Sequence, residues 1–142
     1  RPPRSTLFPY TTLFRSNLPV LSITITEIEQ VLFNIIKNAA QAIANEHDSQ
    51  KRPKLIIRAA KEDKFVRIEI EDNGPGIPEK VKNRIFEPFF TTKDVGEGTG
   101  LGLSVSYMII RDNHQGELYC ESKLGLGTKF IIKLPIQKKR MN

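Results

Sequence analysis

The chain has 142 residues, 39% apolar and 27% charged, with a formal net charge of +6, a composition that suits one globular domain with a sizeable core. It contains no apolar run long enough to cross a bilayer and no signal-peptide pattern, so no membrane contact is expected of this segment and a cytoplasmic setting is. Cys120 is the only cysteine, and His47 and His114 are the only histidines, which excludes a disulfide framework and a Cys- or His-rich metal site.

Residues 1–16 read as foreign to the fold. Thr6–Ser16, TLFPYTTLFRS, resembles the conceptual translation of a sequencing-library adapter, and the stretch is set aside as a cloning or assembly artefact. Its Arg1, Arg4 and Arg15 supply half of the +6, and Lys138, Lys139 and Arg140 in a basic tail over 137–142 supply the rest. The domain at 17–136 is therefore near neutral, and no nucleic-acid partner is expected.

Pro19–Ile25 alternates loosely and predicts a short strand or extended lead-in. Thr26 with Glu29 three residues on has capping-box spacing and predicts a helix to about Asn45. Ile28, Val31, Leu32, Ile35, Ala39 and Ala42 form its apolar stripe. Glu46–Pro53 reads as a loop. Lys54–Lys61 and Phe65–Glu71 alternate around a Glu62-Asp63-Lys64 turn, a hairpin signal. Pro78 suits the first position of a short helix through about Phe86. Glu87–Glu97 lacks a period and is long enough to be a lid, with Gly96 and Gly98 as hinges. GEGTGLGL at Gly96–Leu103 then runs into a helix with Leu101, Val105, Met108 and Ile109 on its apolar side. Glu117–Ser122 and Lys129–Leu134 form a second hairpin around Gly125 and Gly127. This order of elements predicts an α+β two-layer sandwich rather than a doubly wound sheet.

Four stretches suggest chemistry. Gly96, Gly98, Gly100 and Gly102 free the backbone ahead of a helix N-terminus, where unpaired N–H groups favour an anion such as phosphate. Asn34 and Asn38 lie four apart on one helix face, and amide oxygens are suitable hard ligands for a magnesium ion that also holds phosphates. In Glu71-Asp72-Asn73-Gly74-Pro75-Gly76-Ile77-Pro78, a carboxylate at a strand end can accept from the exocyclic amine of adenine. Gly74 and Gly76 would let backbone approach the ring, with Ile77 packed on its face. Phe86-Glu87-Pro88-Phe89-Phe90-Thr91-Thr92-Lys93 sets three aromatics beside a cation able to reach a terminal phosphate. Taken singly, each also suits a plainer role: a linker, two solvated amides, an ordinary turn, and a loop pinned by at least one core Phe.

Together the stretches resemble the ATP-binding domain of bacterial two-component sensor histidine kinases, within the superfamily of gyrase, Hsp90, histidine kinases and MutL. EQVLFNIIKNAAQAI matches the asparagine box, EDNGPGIP the first glycine box, IFEPFFTTK the phenylalanine box and GEGTGLGL the second glycine box. HQGELYCESKLGLGTKFIIKLP resembles the closing hairpin. The five stretches stand in the family's order, and the resemblance covers Thr26 through Leu134. It implies a Bergerat-type sandwich, with a mixed, mostly antiparallel sheet and about three helices on one face.

ATP and Mg²⁺ are the implied cofactors, with Asn38 as the metal ligand, Asn34 near the phosphates and Asp72 on the adenine amine, supported by Thr128. Gly98, Thr99, Gly100, Leu101, Gly102 and Leu103 would cradle the phosphates, flanked by Thr91, Thr92 and Lys93. Related hydrolases carry a glutamate where Asn34 stands, and an amide cannot act as general base at neutral pH. Phosphoryl transfer is therefore expected over vigorous hydrolysis, with Asn34 and Lys93 as the catalytic pair. The implied partners are a phosphoacceptor histidine domain of the same kinase, which neither His47 nor His114 resembles, and a response regulator receiver domain. On this reading the chain is the catalytic piece of a longer kinase, whose other parts could include a membrane anchor. His114 falls where the family often has His-Gly-Gly, with Gln115 replacing the middle glycine, and is expected to be structural. The alternatives are a hydrolysing ATPase of the same superfamily and a nucleotide-binding regulatory module without catalysis.

Overall fold

In the computed structural model, which describes residues 18–91 and 101–136, Ile25–Ala44 forms the long helix α1. Ile28, Val31, Ile35 and Ala39 are its buried stripe, as the period predicts. Residues 18–24, by contrast, take no regular structure, so of the strand or extended lead-in expected there the strand does not form. The helix also begins before the predicted capping box. Its N-cap is Thr24, whose side chain makes no cap bond. The Thr24 N–H instead donates to His114 Nε2 at 3.0 Å, from ninety residues away. His114 Nδ1 lies 2.9 Å from the Ile109 carbonyl oxygen, which can only accept, so Nδ1 carries the proton and Nε2 offers a lone pair. A neutral, buried imidazole thus replaces the reciprocal half of a capping box. Asn113 Nδ2 ties down the same turn by donating to Glu27 at 2.6 Å.

β1 (Leu55–Glu62) and β2 (Phe65–Asp72) form the first hairpin, and β3 (Glu117–Lys123) and β4 (Gly127–Pro135) the second. They join in the order β1-β2-β4-β3, every neighbour antiparallel, through a β2–β4 register that sets Ile70 opposite Phe130 and Asp72 opposite Thr128. Alternation divides the sheet into two faces. Ile70, Leu118, Phe130, Ile132 and Leu134 pack in one cluster with the α1 stripe, Ile109 and Ile110. Their charged neighbours pair instead: Arg58 with Glu71 at 2.7 Å, Arg67 with Glu69 at 2.9 Å and Lys133 with Glu62 at 3.1 Å. The exposed Arg58–Glu71 pair adds little stability. The result is the expected two-layer α+β sandwich, though the described strands are purely antiparallel.

The helix predicted from Pro78 to Phe86 is only one turn, α2 (Glu79–Lys82), with Pro78 as its N-cap. Beyond it Arg84, Glu87 and Phe90 each donate to the carbonyl three residues back. α3 (Gly102–Met108) continues into a π-helix at Ile109–Asn113. The predicted apolar side is also shifted: Met108 is 47% exposed, while Ser106, Ile109 and Ile110 are buried. Ser106 tolerates the core because its hydroxyl donates to the Gly102 carbonyl at 2.8 Å. The wider π turn brings the adjacent Ile109 and Ile110 to the core together. Among the described residues, no helix is long and apolar enough to cross a membrane.

Two substitutions test this frame. His114→Phe keeps the ring volume but strands the Thr24 N–H and the Ile109 carbonyl, and should cost about 2 kcal/mol in chemical denaturation; an unchanged midpoint would show that the imidazole cap is dispensable. Gln115 sits at φ 51°, where a β-carbon is strained, so Gln115→Gly should raise stability by about 0.5–1 kcal/mol.

Candidate functional site

One face of α1 meets the first turn of α3 near its middle and the turn after β2 near its end. Near its middle, Asn34 Nδ2 donates to the Gly102 carbonyl and to Ser106 Oγ, both at 3.2 Å. That fixes the start of α3, and a Cβ on Gly102 would meet Asn34 Cγ at 3.7 Å. Asn38, one turn on, makes no hydrogen bond to a described residue. Gln41 continues the same face, and its Oε1 is buried with no hydrogen-bond partner. A buried acceptor without a donor costs free energy, so this face is incomplete by itself.

At the C-terminal end of α1, the Ala42 backbone lies against Gly74, where a Cβ would come within 3.0 Å of it. Asp72, at the end of β2, is 4% exposed and accepts the Gly74 N–H through Oδ1 at 2.9 Å. Burial pushes its carboxyl above the ordinary value, against the opposing pull of N–H groups from Gly74 and Thr128. Thr128 does stand opposite Asp72 in register, but its hydroxyl pairs with Ser122 Oγ at 2.8 Å. Ser122 also accepts the Ile77 N–H at 2.7 Å and donates to the Gly127 carbonyl at 2.9 Å.

The glycines of this turn serve a different contact from the one expected. A Cβ on Gly76, at φ +80°, would overlap the Lys123 carbonyl, and one on Gly127, at φ +133°, would overlap the Asp72 carbonyl. Gly125 N–H donates to the Pro75 carbonyl at 2.8 Å. The turn needs glycine because the β3–β4 hairpin presses on it, whatever else approaches Gly74 and Gly76. Lys51 joins from the loop after α1, its Nζ 2.7 Å from Glu46 Oε2 and 3.1 Å from the Gly74 carbonyl oxygen.

The phenylalanines divide. Phe86 is a core anchor, its ring 5.2 Å from that of Tyr107 and 6.4 Å from that of Phe130. Phe90 lies 4.6 Å beneath the Arg84 guanidinium, and Phe89 is 74% exposed at φ +67°. Thr91 is described. Thr92, Lys93, Gly98, Thr99 and Gly100 lie outside the described residues, and with them most of the expected lid and glycine loop. Leu101 caps α3 without a side-chain bond, ahead of Gly102 and Leu103 within it. Among the described residues, no group of three His, Cys, Asp or Glu could hold a metal. Sequence reasoning missed Ser106, Ser122 and Lys51; a serine between apolar helix neighbours was the one available signal.

The raised Asp72 value fixes a sign. An acid whose folded pKa exceeds its unfolded one stabilises the fold at low pH, and that contribution is lost as pH rises through the folded value. Asp72→Asn should therefore leave the ligand-free melting temperature at pH 7 unchanged or higher. A marked fall would mean that the carboxylate serves the fold rather than a ligand.

A family profile described as histidine kinase-, DNA gyrase B- and HSP90-like ATPase matches residues 24–138. The sensor kinase CckA of Brucella abortus is 45% identical, over 80% of this chain and 13% of that protein. Sporulation kinase A of Bacillus subtilis is 41% identical, over 77% and 16%. The chain thus spans less than a fifth of either relative. A nucleotide-free catalytic domain of the histidine kinase ThkA superposes with a TM-score of 0.67 at 37% identity, covering 81% of this chain and 71% of that one.

Proposed function

The chain belongs to the histidine kinase-, DNA gyrase B- and HSP90-like ATPase family, with the catalytic domains of sensor histidine kinases, and on that premise we propose that it binds Mg-ATP and presents the γ-phosphate to a histidine of a separate phosphoacceptor domain. The observation that carries the reading is the unsatisfied face of α1. Among the described residues, the buried Gln41 oxygen has no partner and the part-exposed Asn38 makes no hydrogen bond, between a strand end with a buried carboxylate and the first turn of α3. From Asn34 to Ala42 that face runs about 12 Å at 1.5 Å per residue, so one elongated ligand can meet both ends.

In this reading Asp72 accepts from the exocyclic amine of adenine, and Asn38 supplies an amide oxygen to Mg²⁺. The ion would neutralise phosphate charge, the chief requirement of phosphoryl transfer. Asn34 acts by position: its amide nitrogen holds Gly102 and Ser106, and it has no protonation state with which to activate water. That favours transfer to an outside nucleophile over hydrolysis. Lys93 and the backbone of Gly98–Leu103 are assigned to the phosphates from sequence, with Thr91 and Thr92 beside them. Residues 87–97 are assigned as a lid on the same footing. The partners are the phosphoacceptor domain of the parent kinase and, downstream, a response regulator receiver domain.

Calorimetric titration with Mg-ADP and Mg-GDP should show a clear adenine preference that Asp72→Asn abolishes, a loss of about 1–3 kcal/mol for one buried polar mismatch. Asn38→Ala should remove the magnesium-dependent part of the affinity without lowering the melting temperature. Equal binding of the two nucleotides would sink the adenine assignment.

A further inference from the structure

The loop between α1 and β1 is bonded more closely than a simple connection requires. Glu46 Oε1 accepts the Asp48 N–H at 3.1 Å, Asp48 Oδ1 accepts the Gln50 N–H at 2.9 Å, and the Lys51 N–H returns to the Asp48 carbonyl at 3.1 Å. These bonds deliver the Lys51 ammonium to Glu46 at 2.7 Å, with the two side chains only 21% and 15% exposed. The ammonium holds the Glu46 carboxyl below its usual range. Its second acceptor is the Gly74 carbonyl oxygen, at 3.1 Å. Gly74 is therefore gripped twice: its N–H by Asp72 and its carbonyl by Lys51.

We propose that Lys51 is a positioning residue for nucleobase recognition, holding the Gly74 peptide so that Asp72 is presented ionised and in one orientation to the base. This rests on the reading of Asp72 as the adenine acceptor. The carboxyl is worked on by three titratable neighbours. Glu71, next to it on β2, opposes ionisation and Lys51 favours it. Cys120 on β3, pushed up to about 12 by burial, remains a neutral thiol. Oδ1 already accepts the Gly74 N–H, so a proton on the neutral carboxyl falls on the oxygen left for the exocyclic amine, and base binding weakens as pH falls through the Asp72 value. Removing the Lys51 charge moves that failure to higher pH.

Titration of the whole chain with Mg-ADP and with Mg-pyrophosphate between pH 5 and 8 decides the matter. Lys51→Met should weaken Mg-ADP about tenfold at pH 7 and shift the acid limb upward, while Mg-pyrophosphate binds as before. Lys51→Arg should recover part of the loss, and Glu46→Gln, which removes the anion that offsets the Lys51 charge, should give a smaller shift of the acid limb in the opposite direction. Wild-type affinity and an unmoved acid limb in Lys51→Met overturn the proposal, as does equal loss for pyrophosphate. If Lys51→Met does not fold, an unmoved limb in Glu46→Gln overturns it. Asp72→Asn separates the two readings. Undiminished adenine preference there removes the acceptor role and this proposal with it, whereas a lost preference beside an unaffected Lys51→Met removes this proposal alone.

Discussion

Burying the Asp72 carboxyl is the constraint around which this fold is arranged. A carboxylate withdrawn from water is tolerated only where N–H groups and a nearby cation replace its hydration. Each replacement makes its own demand. The Gly74 N–H must turn back on the strand end, which brings Gly74 against the α1 backbone. Gly76 and Gly127 must lack side chains, because the β3–β4 hairpin closes over the same turn. Ser122 has to bond both the Ile77 N–H and the Gly127 carbonyl. One costly group thus dictates a turn, a hairpin contact and two glycines.

α1 relates that carboxylate to the second loop, and the helix is itself fixed at three heights. His114 and Asn113 hold its first turn from the C-terminal end of the π-helix. Asn34 bonds α3 at mid-length, and Ala42 abuts Gly74 at the end. Between them, the buried Gln41 oxygen can then remain without a partner among the described residues and the helix need not shift to satisfy it. Rigidity at the ends permits an unfilled polar face in the middle.

Whatever a short-range period encodes was legible in the sequence. The α1 stripe and all four described strands follow from spacing alone, and the family boxes named the residues around Asp72 and Asn38. What escaped depends on partners remote in the chain. The start of α1 was misplaced because its cap partner is a histidine ninety residues on, which no local capping pattern anticipates. Pro78 was expected to start a longer helix, but the following residues close successive tight turns that send Phe86 into the core. The π-helix has no residue signature, and with it went the expectation that Met108 faces inward. Gly76 and Gly127 were correctly marked as special, but the hairpin that requires them is visible only once the strands are paired.

The hairpin contact has an evolutionary corollary. Its bonds to the Asp72–Ile77 turn run through the Gly125 N–H and the Ser122 hydroxyl, while Leu124 and Leu126 project outward at 63% and 65% exposure. Substitutions at those two leucines leave every bond to the turn in place. The hairpin tip can therefore diverge freely in shape and chemistry among paralogues while the turn beneath it is inherited intact, so recognition of different neighbours could evolve there without disturbing the site.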